Sequence, residues 1–506
     1  MPTEAEQPLK DGDLLAAIDL GSNSFHMVVA SYTMGQLRIV DRIKESVRLA
    51  EGLDGRGGLN PDVMPRALEC LARFGQRLRA IPPHRVRAIA TNTVRALSNP
   101  RIFLMPAETA LGHGIDVVAG REEARLIYQG VARGSPPTEG KRRLVMDIGG
   151  GSTEFIIGQG YEAMERESLQ MGSIATTRRF FADGQLSKKR WKDARTEITA
   201  EFQQFASAYR ARGWHDAMGS SGTIKEICDI SIAMKLTKVS ITPESIDAIR
   251  ERLLGFDRLE DIRLPGLSSE RRPIIAGGLL VLDAAFAELG ITRMHISDNA
   301  LREGVLYDLI GRASDTDPRE SSIASMSIRY GVDAAQATRV ESTALALFEQ
   351  AEADWGLEPD DRRLLSWSAR IHELGLAIAH SQYHQHGAYV LEHSDIAGFS
   401  RTEQQTLAAL VRNHRRALSQ SSFNKLPDRL VATTQRCTLL LRLAVLLHRS
   451  HDRDPLPDAR LDVDGDTLTL GLPGRWLENH PLTRSNLDTE REYLQDIGYT
   501  LEIQSD

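Results

Sequence analysis

The alternation of apolar and polar positions near the start of the chain predicts a β-hairpin. An apolar run from Leu14 stops at Asp19, and strand-forming residues resume at Phe25. Between them lie residues typical of turns: Gly21, Ser22, Asn23 and Ser24. The following stretches predict a third strand in "GQLRIVDRIKESVRL", a helix in "MPRALECLARFGQRLRAI", a strand, loop and helix in "VRAIATNTVRAL", and a strand, glycine and helix in "GIDVVAGREEARLIYQGVARG".

The same order of elements returns in the next part of the chain. "RLVMDIGGGSTEFIIG" matches the first hairpin, so that Asp147 falls where Asp19 falls, 128 residues earlier. "HDAMGSSGTIKEICDI" repeats the strand, loop and helix, and "RMHISDNALREGVLYDLIG" repeats the last strand and helix. This period is longer than that of most solenoid repeats, and it favours a duplicated α/β domain.

The pattern changes beyond "ASDTDPRESS", which starts at Ala313 and is typical of a linker. Helical stretches follow, such as "AAQATRVESTALALFEQ" and "TTQRCTLLLRLAVLLHRS". The last stretch predicts a hairpin with an Asp-Gly turn in "ARLDVDGDTLTLGLP", a helix in "NLDTEREYLQDIG" and a strand in "YTLEI". We therefore predict four domains over residues 1–135, 136–314, 315–455 and 456–506: two α/β domains, an all-α domain and a small α+β domain.

Composition narrows the functional classes. The chain has 506 residues, 41% of them hydrophobic and 26% charged, as in soluble proteins of several domains. Its net charge of −7 gives no general attraction to nucleic acid or to an anionic membrane, and we expect no nucleic-acid partner. Three isolated cysteines, a polar N-terminus and the absence of an apolar stretch long enough to span a bilayer predict a cytoplasmic protein.

Each glycine turn follows an aspartate at a strand end and is suited to bind an anion. Consecutive backbone N–H groups in such a turn form an anion-binding concavity, and glycine lets a phosphate approach without a Cβ clash. Neither turn has the Walker pattern or the dinucleotide fingerprint. Arg95 and Arg302 either bind phosphate oxygens or lie on the surface. Two matched turns predict a phosphate held from both sides, the second turn comprising Gly149, Gly150, Gly151, Ser152 and Thr153.

Four acidic residues are candidates for the chemistry of phosphoryl transfer. This reaction requires charge neutralisation and an aligned nucleophile, and magnesium needs only one or two carboxylates besides water and phosphate oxygens. Asp147 and Glu154 flank the second turn and are candidate magnesium ligands. Glu122 and Glu123 begin a predicted helix, where acidic residues either serve a site or complement the helix dipole.

The motifs "AAIDLGSNSFHMVVA", "TNTVRAL", "GREEARLIYQGV", "DIGGGSTEF", "GSSGTIKEI" and "LREGVLYDL", in this order, resemble the exopolyphosphatase/guanosine pentaphosphate phosphatase family. The resemblance covers the chain from about Asp13 to near its end and includes the C-terminal region of the long bacterial members. It implies duplicated ribonuclease-H-like domains of the sugar kinase/Hsp70/actin type. It also implies magnesium-dependent hydrolysis of a terminal phosphate and a homodimer.

The resemblance implies roles for particular residues. The family's "GxEEA" element assigns the catalytic base to Glu123, and Asp147 and Glu154 match its metal- and water-handling carboxylates. Magnesium is therefore expected at these three residues, with a monovalent cation as a further candidate ion. Residues 21–24 and 149–153 match the two phosphate-binding loops of the family.

The third predicted domain resembles an HD phosphohydrolase domain that has lost metal ligands. Gln336 stands near the leading histidine position, the expected His-Asp pair is His372-Glu373, and Val445 stands where a late aspartate belongs. Histidines remain concentrated here: His372, His380, His384, His386, His393 and His414. We expect a structural or chain-binding role, with a track for a long polyanion formed by Arg412, His414, Arg415 and Arg416.

Two related activities and one binding function are compatible with these motifs. Our main prediction is an exopolyphosphatase that releases orthophosphate from the end of inorganic polyphosphate. The alternative is conversion of guanosine pentaphosphate to the tetraphosphate at the same site. Gly151 favours polyphosphate, because the pentaphosphate-directed relatives often carry "GGAS" where this chain has "GGGS". A sensor that binds either polyanion without catalysis is the third interpretation.

Overall fold

The computed structural model describes residues 9–135, 139–312, 317–451 and 456–505. The chain forms two compact units, one spanning Pro8–Thr316 and the other Asp317–Asp506. The predicted domain boundaries at 135/136, 314/315 and 455/456 adjoin or fall within segments outside the described residues, as does the start of the predicted linker. The division into four domains therefore stays a prediction.

The first half of the N-terminal unit is a five-stranded mixed sheet with helices. Strands β1, β2 and β3 are antiparallel, whereas β4 and β5 run parallel to β1, in the order β3-β2-β1-β4-β5. Its elements are β1 (Leu14–Leu20), β2 (Phe25–Thr33), β3 (Gln36–Glu45), α1 (Met64–Leu78), β4 (Val86–Ala90), α2 (Asn92–Arg95), α3 (Arg101–Leu111), β5 (Ile115–Val117) and α4 (Gly120–Gly134).

The second half repeats this topology with an added edge strand. Its sheet has the order β8-β7-β6-β9-β11-β10, with β6, β7 and β8 antiparallel and with β9 and β11 parallel to β6. Its elements are β6 (Arg142–Ile148), β7 (Thr153–Gln159), β8 (Glu162–Leu169), α5 (Ser173–Phe180), α6 (Lys188–Phe202), α7 (Ala206–Arg212), β9 (Asp216–Ser220), α8 (Ser221–Ala233), β10 (Ser240–Ile241), α9 (Pro243–Leu253), α10 (Ile275–Leu289), β11 (Met294–Ile296) and α11 (Leu301–Arg312). The α/β character predicted for both halves is confirmed.

Alternating residues of β1 enter two different cores, as the two faces of a strand require. Ala16, Ile18 and Leu20 pack in a cluster with α1 and α3. Leu15 and Ala17 belong to a second cluster, which also contains residues of α4, α11 and the second sheet. The two halves therefore share one hydrophobic core through these two helices.

Helices α4 and α11 approach so closely that only glycine fits at their crossing. A Cβ added to Gly130 would lie 2.0 Å from the Ala300 carbonyl oxygen, and one added to Gly304 would lie 1.8 Å from the Leu126 carbonyl oxygen. Backbone contact at this crossing fixes the two helices relative to each other.

The helical stretch "RWKDARTEITAEFQQFASAYRARG" contains most of α6 and all of α7, which are separate helices. The chain breaks between them because Phe202 and Phe205 both pack against Phe155, with ring centroids 5.2 Å from it in each case. Packing of both rings in one core overrides the local helical preference.

The C-terminal unit is helical, with a small sheet at its end. Its elements are α12 (Pro318–Arg329), α13 (Ala334–Trp355), α14 (Pro359–Ile371), α15 (Tyr383–His393), α16 (Arg401–Asn413), α17 (Gln420–Phe423), α18 (Asp428–Leu447), β12 (Arg460–Asp464), β13 (Thr467–Leu472), α19 (Gly474–Asn479), α20 (Pro481–Gln495) and β14 (Thr500–Ser505). The predicted hairpin is confirmed, with Asp464 paired to Thr467, and β14 adds to it in parallel.

Within the described residues, α18 is the one helix long and apolar enough to cross a membrane by length and composition. Of its most apolar stretch, 61% is buried inside the protein. The same helix carries Arg442, whose guanidinium is buried and forms an ion pair with Glu490. These features are those of a core helix of the C-terminal unit.

Candidate active site

The hairpin registers place the paired aspartates at equivalent positions. Asp19 lies opposite His26 in the β1–β2 hairpin, and Asp147 lies opposite Glu154 in the β6–β7 hairpin. On its other side Asp147 neighbours Ser220 of β9, whose hydroxyl donates to Asp147 Oδ2 at 2.6 Å. The two halves therefore present the ends of equivalent central strands, as the repeat predicts.

The first turn is held by residues 48–50, and its N–H groups point away from them. The Arg48 N–H donates to the Asn23 carbonyl at 2.7 Å, and the Ala50 N–H donates to the Ser22 carbonyl at 3.0 Å. Because the C=O and N–H of a trans peptide point in opposite directions, the N–H groups of Asn23 and Ser24 face away from these donors.

The second turn has the same arrangement. The Gly172 N–H donates to the Gly151 carbonyl at 3.0 Å, and the Ile174 N–H donates to the Gly150 carbonyl at 2.9 Å. The N–H groups of Gly151 and Ser152 therefore face away from the start of α5. Since both turns use the same pair of contacts, the repeat extends to their backbone hydrogen bonds. Each turn has consecutive N–H groups in an arrangement suited to an anion.

The two turns face each other across one cleft of about 610 Å³. A Cβ added to Gly150 would lie only 3.0 Å from Ser22 Cβ of the other turn. The cleft is lined by residues of both turns, and Thr153 is the exception, because it is buried in β7 and donates its hydroxyl to the Met171 carbonyl.

Glu123 lines this cleft at the first turn of α4. Its Oε2 accepts a hydrogen bond from Arg95 Nη1 at 2.7 Å, and the same nitrogen donates to the Val118 carbonyl at 2.8 Å. Arg95, a predicted phosphate ligand, is thus placed against a cleft carboxylate, whereas Arg302 lines the cleft itself.

Glu122 has a different environment from its neighbour. Both of its carboxylate oxygens accept hydrogen bonds from Arg125, at 2.8 and 2.7 Å, and Arg125 also contacts Asp308. These contacts place Glu122 in an ion network between α4 and α11. The structure thereby separates two glutamates that the local pattern left equivalent.

Burial and mutual repulsion weaken the acidity of the cleft carboxyls. Burial, together with the charges of Glu123 and Asp147, raises the pKa of Asp19 to about 7. Burial also raises the pKa of Asp147 to about 6, with Glu123 adding to the effect. The pKa of Glu154 is raised well above its usual value by burial, then by Glu123 and Asp147. A cation placed among these groups would relieve the repulsion.

The donor set has the chemistry of a magnesium site. In the part of the chain that the structure describes, no three His, Cys, Asp or Glu side chains are arranged as a ready-made metal site. Magnesium, however, needs only one or two carboxylates besides water and phosphate oxygens. Asp147 is oriented by Ser220, Glu154 accepts a hydrogen bond from Ser168 Oγ at 2.8 Å, and the buried Asp19 Oδ1 has no hydrogen-bond partner among the described residues. These residues fit a hard, oxygen-binding cation.

Basic side chains that the motifs did not single out also line the cleft. His26 accepts from Arg302 Nη1 through its Nδ1 at 2.7 Å, and its pKa is lowered to about 3 by burial, then by Arg302 and Lys44. His26 occupies the repeat position of Glu154, so comparison of the two hairpins could have found it. The other cations had no such signal: Arg42, Lys44, Lys225 and Arg271.

The predicted polyanion track is divided between two depressions of the C-terminal unit. His414, Arg415 and Arg416 line one cavity, and Arg412 lines another, with Lys425. His414 is fully buried. The four residues therefore do not line one continuous cavity.

Comparison with known proteins identifies the family. The model of the Ppx/GppA phosphatase family matches residues 28–313, and that of Ppx/GppA phosphatase, domain III, matches residues 319–491. The chain belongs to the Ppx/GppA phosphatase family. The resemblance in the motifs is thereby confirmed.

Two relatives in this family match almost the whole chain. Proteins of Pseudoalteromonas translucida and Vibrio vulnificus, both named guanosine-5′-triphosphate,3′-diphosphate pyrophosphatase, are 38% identical, and each alignment covers 97% of this chain and 98% of the relative. Among solved structures, an exopolyphosphatase from Cytophaga hutchinsonii is 24% identical with a TM-score of 0.53, covering 60% of this chain and 99% of that one. The Ppx/GppA enzyme of Aquifex aeolicus is 25% identical with a TM-score of 0.50, covering 58% and 98%.

Proposed function

We propose that this phosphatase hydrolyses the terminal phosphoanhydride of guanosine pentaphosphate, releasing orthophosphate and guanosine tetraphosphate. The near-full-length similarity to relatives named for this substrate favours it over polyphosphate, our main prediction from the motifs. The observation that carries the reaction type is the pair of facing turns with Glu123 and Asp147 in the same cleft and with the buried Glu154 opposite Asp147 on the adjacent strand.

In the proposed reaction the terminal phosphate lies between the two turns. The N–H groups of Asn23, Ser24, Gly151 and Ser152 bind its oxygens, and Arg302 contributes a charged donor. Donors fixed in advance stabilise the charge of the transition state without reorganisation. When bound at Asp147 and Glu154, magnesium neutralises phosphate charge.

Glu123 is the proposed general base. Arg95 engages its Oε2, which leaves Oε1 to take a proton from a water molecule aligned with the terminal phosphorus. The water oxygen forms the new bond to phosphorus, and the bridging oxygen leaves with the shortened substrate. The proton ends on the Glu123 carboxyl before its release to solvent.

Substitution of Glu123 by glutamine tests this role. Because removal of a general base costs about 10²–10⁴-fold, the Glu123→Gln variant should bind substrate and release almost no phosphate. Glu122→Gln is the matched control, since it loses the paired hydrogen bonds to Arg125 and should lower the melting temperature while activity per folded molecule stays close to wild type. Near-normal turnover of Glu123→Gln would contradict the assignment.

Substrate choice is tested by giving the full chain and magnesium three substrates in parallel. We expect orthophosphate release with the highest kcat/KM from guanosine pentaphosphate, less from long-chain polyphosphate and almost none from ATP. Polyphosphate is the second candidate because Gly151 keeps the glycine turn unsubstituted. A higher kcat/KM for polyphosphate would reverse the order of the two, and binding without release would support a sensor.

The fold can be proposed in finer terms. The shared strand order and the shared turn hydrogen bonds support two ribonuclease-H-like domains that arose by duplication. The family match to domain III over residues 319–491 is compatible with a degenerate HD-like domain. The homodimer, the monovalent cation and the cytoplasmic location stay predictions.

A further inference from the structure

A cavity of about 590 Å³ lies within the C-terminal unit and plays no part in the proposed reaction. This volume is in the range of sites for small ligands and cofactors. One part of its lining is basic and contains Arg415, Arg416 and Arg449. Another part is apolar or aromatic and contains Leu376, Tyr383 and Val445. The cavity therefore has a basic surface that could bind the phosphates of a nucleotide and an apolar surface that could bind its base.

Carboxylates of the described residues neutralise only some of the cations in the basic part of the lining. Arg442 is paired with Glu490, and His451 lies 3.2 Å from Glu373. Among the described residues, no carboxylate lies within ion-pair distance of the other three arginines of the lining, Arg415, Arg416 and Arg449. Three cations facing one cavity favour a ligand with several negative charges.

The turn that carries two of these arginines is held at some cost in stability. Arg416 has a φ of 65°, which is unfavourable for a residue with a side chain. Arg442, only 1% exposed, donates to the Asn413 carbonyl and, at 2.8 Å, to the Arg416 carbonyl. A buried ion pair such as that of Arg442 with Glu490 gains little stability by itself, so its clearest effect is to fix this turn.

Arg415 is oriented by aromatic contacts. Its guanidinium carbon lies 4.7 Å from the centroid of the Tyr383 ring. That ring packs against the buried His414, with centroids 5.5 Å apart. A planar guanidinium held in this way is preorganised to bind phosphate oxygens with two parallel hydrogen bonds.

We propose that this cavity is a second binding site, for a nucleoside diphosphate or triphosphate. The phosphates would lie against Arg415, Arg416 and Arg449, and the base against the apolar and aromatic part. A phosphate chain without a base would leave the apolar and aromatic part of the cavity without a binding partner. Binding without hydrolysis is expected, because the HD-type ligand positions hold Gln336 and Val445, and the Gln336 amide donates to the His448 carbonyl.

The proposal is tested by titration calorimetry of the full chain with guanosine diphosphate and, separately, with inorganic tripolyphosphate. We expect a site in the wild type that prefers the nucleotide at least tenfold. The double variant Arg415→Glu, Arg416→Glu should lose that site and keep its rate of phosphate release from saturating guanosine pentaphosphate, because the cleft and the cavity share no lining residue. The control is Arg475→Glu, Arg484→Glu, two exposed arginines of the same unit outside the cavity lining, which makes the same change of charge.

A separate variant distinguishes the loss of nucleotide binding from misfolding. Arg449→Gln keeps a polar side chain near Asn486, its present partner at 2.8 Å, and should weaken the nucleotide site at least threefold with an unchanged melting temperature. The same nucleotide affinity in all variants would overturn the proposal, and so would equal affinity for tripolyphosphate and nucleotide. Failure of guanosine pentaphosphate hydrolysis would leave this binding test unaffected, because the two sites share no residue.

Discussion

At the scale of single residues, Gly151 shows how one glycine can affect both the cleft and the contact between the two halves of the N-terminal unit. Gly151 lies in the second turn, and a Cβ at this position would meet Asn92 Oδ1 at 2.2 Å and Asn92 Cγ at 2.7 Å. The Asn92 amide is itself held by a hydrogen bond to Gln170. The glycine therefore makes room for a side chain of the first half of the protein as well as for a phosphate. This contact links the two halves at the cleft.

Gly151→Ala should reduce kcat/KM for polyphosphate roughly tenfold, because the added methyl group displaces Asn92 from the cleft wall. The loss for guanosine pentaphosphate should be smaller, because relatives directed to that substrate often carry alanine at this position. The double variant Gly151→Ala, Asn92→Ala removes the clashing atoms and should recover part of the loss. Initial rates of phosphate release from the wild type, both single variants and the double variant measure this coupling. Additive losses would show that the contact does not limit activity.

At the scale of elements, the crossing of α4 and α11 brings the functional side chains together. Helix α4 carries Glu123 near its start, and α11 carries Arg302. Gly304 lets the backbones touch, since its Cβ would lie 1.8 Å from the Leu126 carbonyl oxygen. The distance between Glu123, the proposed general base, and Arg302, a proposed phosphate ligand, therefore depends on two helices that are far apart in sequence.

Gly304→Ala should destabilise the N-terminal unit by about 1–3 kcal/mol and reduce activity per folded molecule, because the methyl group forces the helices apart. Urea unfolding and phosphate release measure the two effects. Gly471→Ala is the control, since a Cβ there would meet only Arg460 at an ordinary 3.5 Å. A stable and fully active Gly304→Ala variant would contradict the importance of this crossing.

At the scale of the whole molecule, buried neutral histidines make stability sensitive to acid. The pKa of His448 is lowered to about 4 by burial, then by Arg339 and His372, and the pKa of His384 is lowered to about 4 by burial, then by nearby arginines. Between pH 6.5 and 4 these histidines bind protons in the unfolded chain and not in the folded one. Their contribution to stability is therefore complete above pH 6.5 and is lost as the pH falls to 4.

His448→Gln should flatten this dependence and keep the contact with Thr343, which lies 2.8 Å from His448 Nε2. We expect the wild type to lose about 1–2 kcal/mol more stability than the variant between pH 7.5 and pH 4.5, less than the full shift because solvent reaches part of the ring. Urea denaturation at the two pH values measures it, with the exposed His393→Gln as control. Identical pH profiles for wild type and His448→Gln would disprove the role of this ring.

Local chemistry is enough to predict much of this protein. The two hairpins, their glycine turns after Asp19 and Asp147, and the repeat are visible in the sequence because turns and strands depend on neighbouring residues. The motifs also identified the family. The break between α6 and α7 was not predictable, because it depends on Phe155, far away in the sequence.

Which side chains come into contact depends on the tertiary structure. The sequence shows that acidic residues begin α4, but only the packing of α4 against α11 places the Glu122–Arg125 pair beside Asp308 while Glu123 lines the cleft. Arg412 and Arg415 lie close in the chain, but α16 ends between them, at Asn413, and they line different cavities. The physical reason is the same in both cases: the direction of a side chain depends on what its helix packs against, and those partners are distant in sequence.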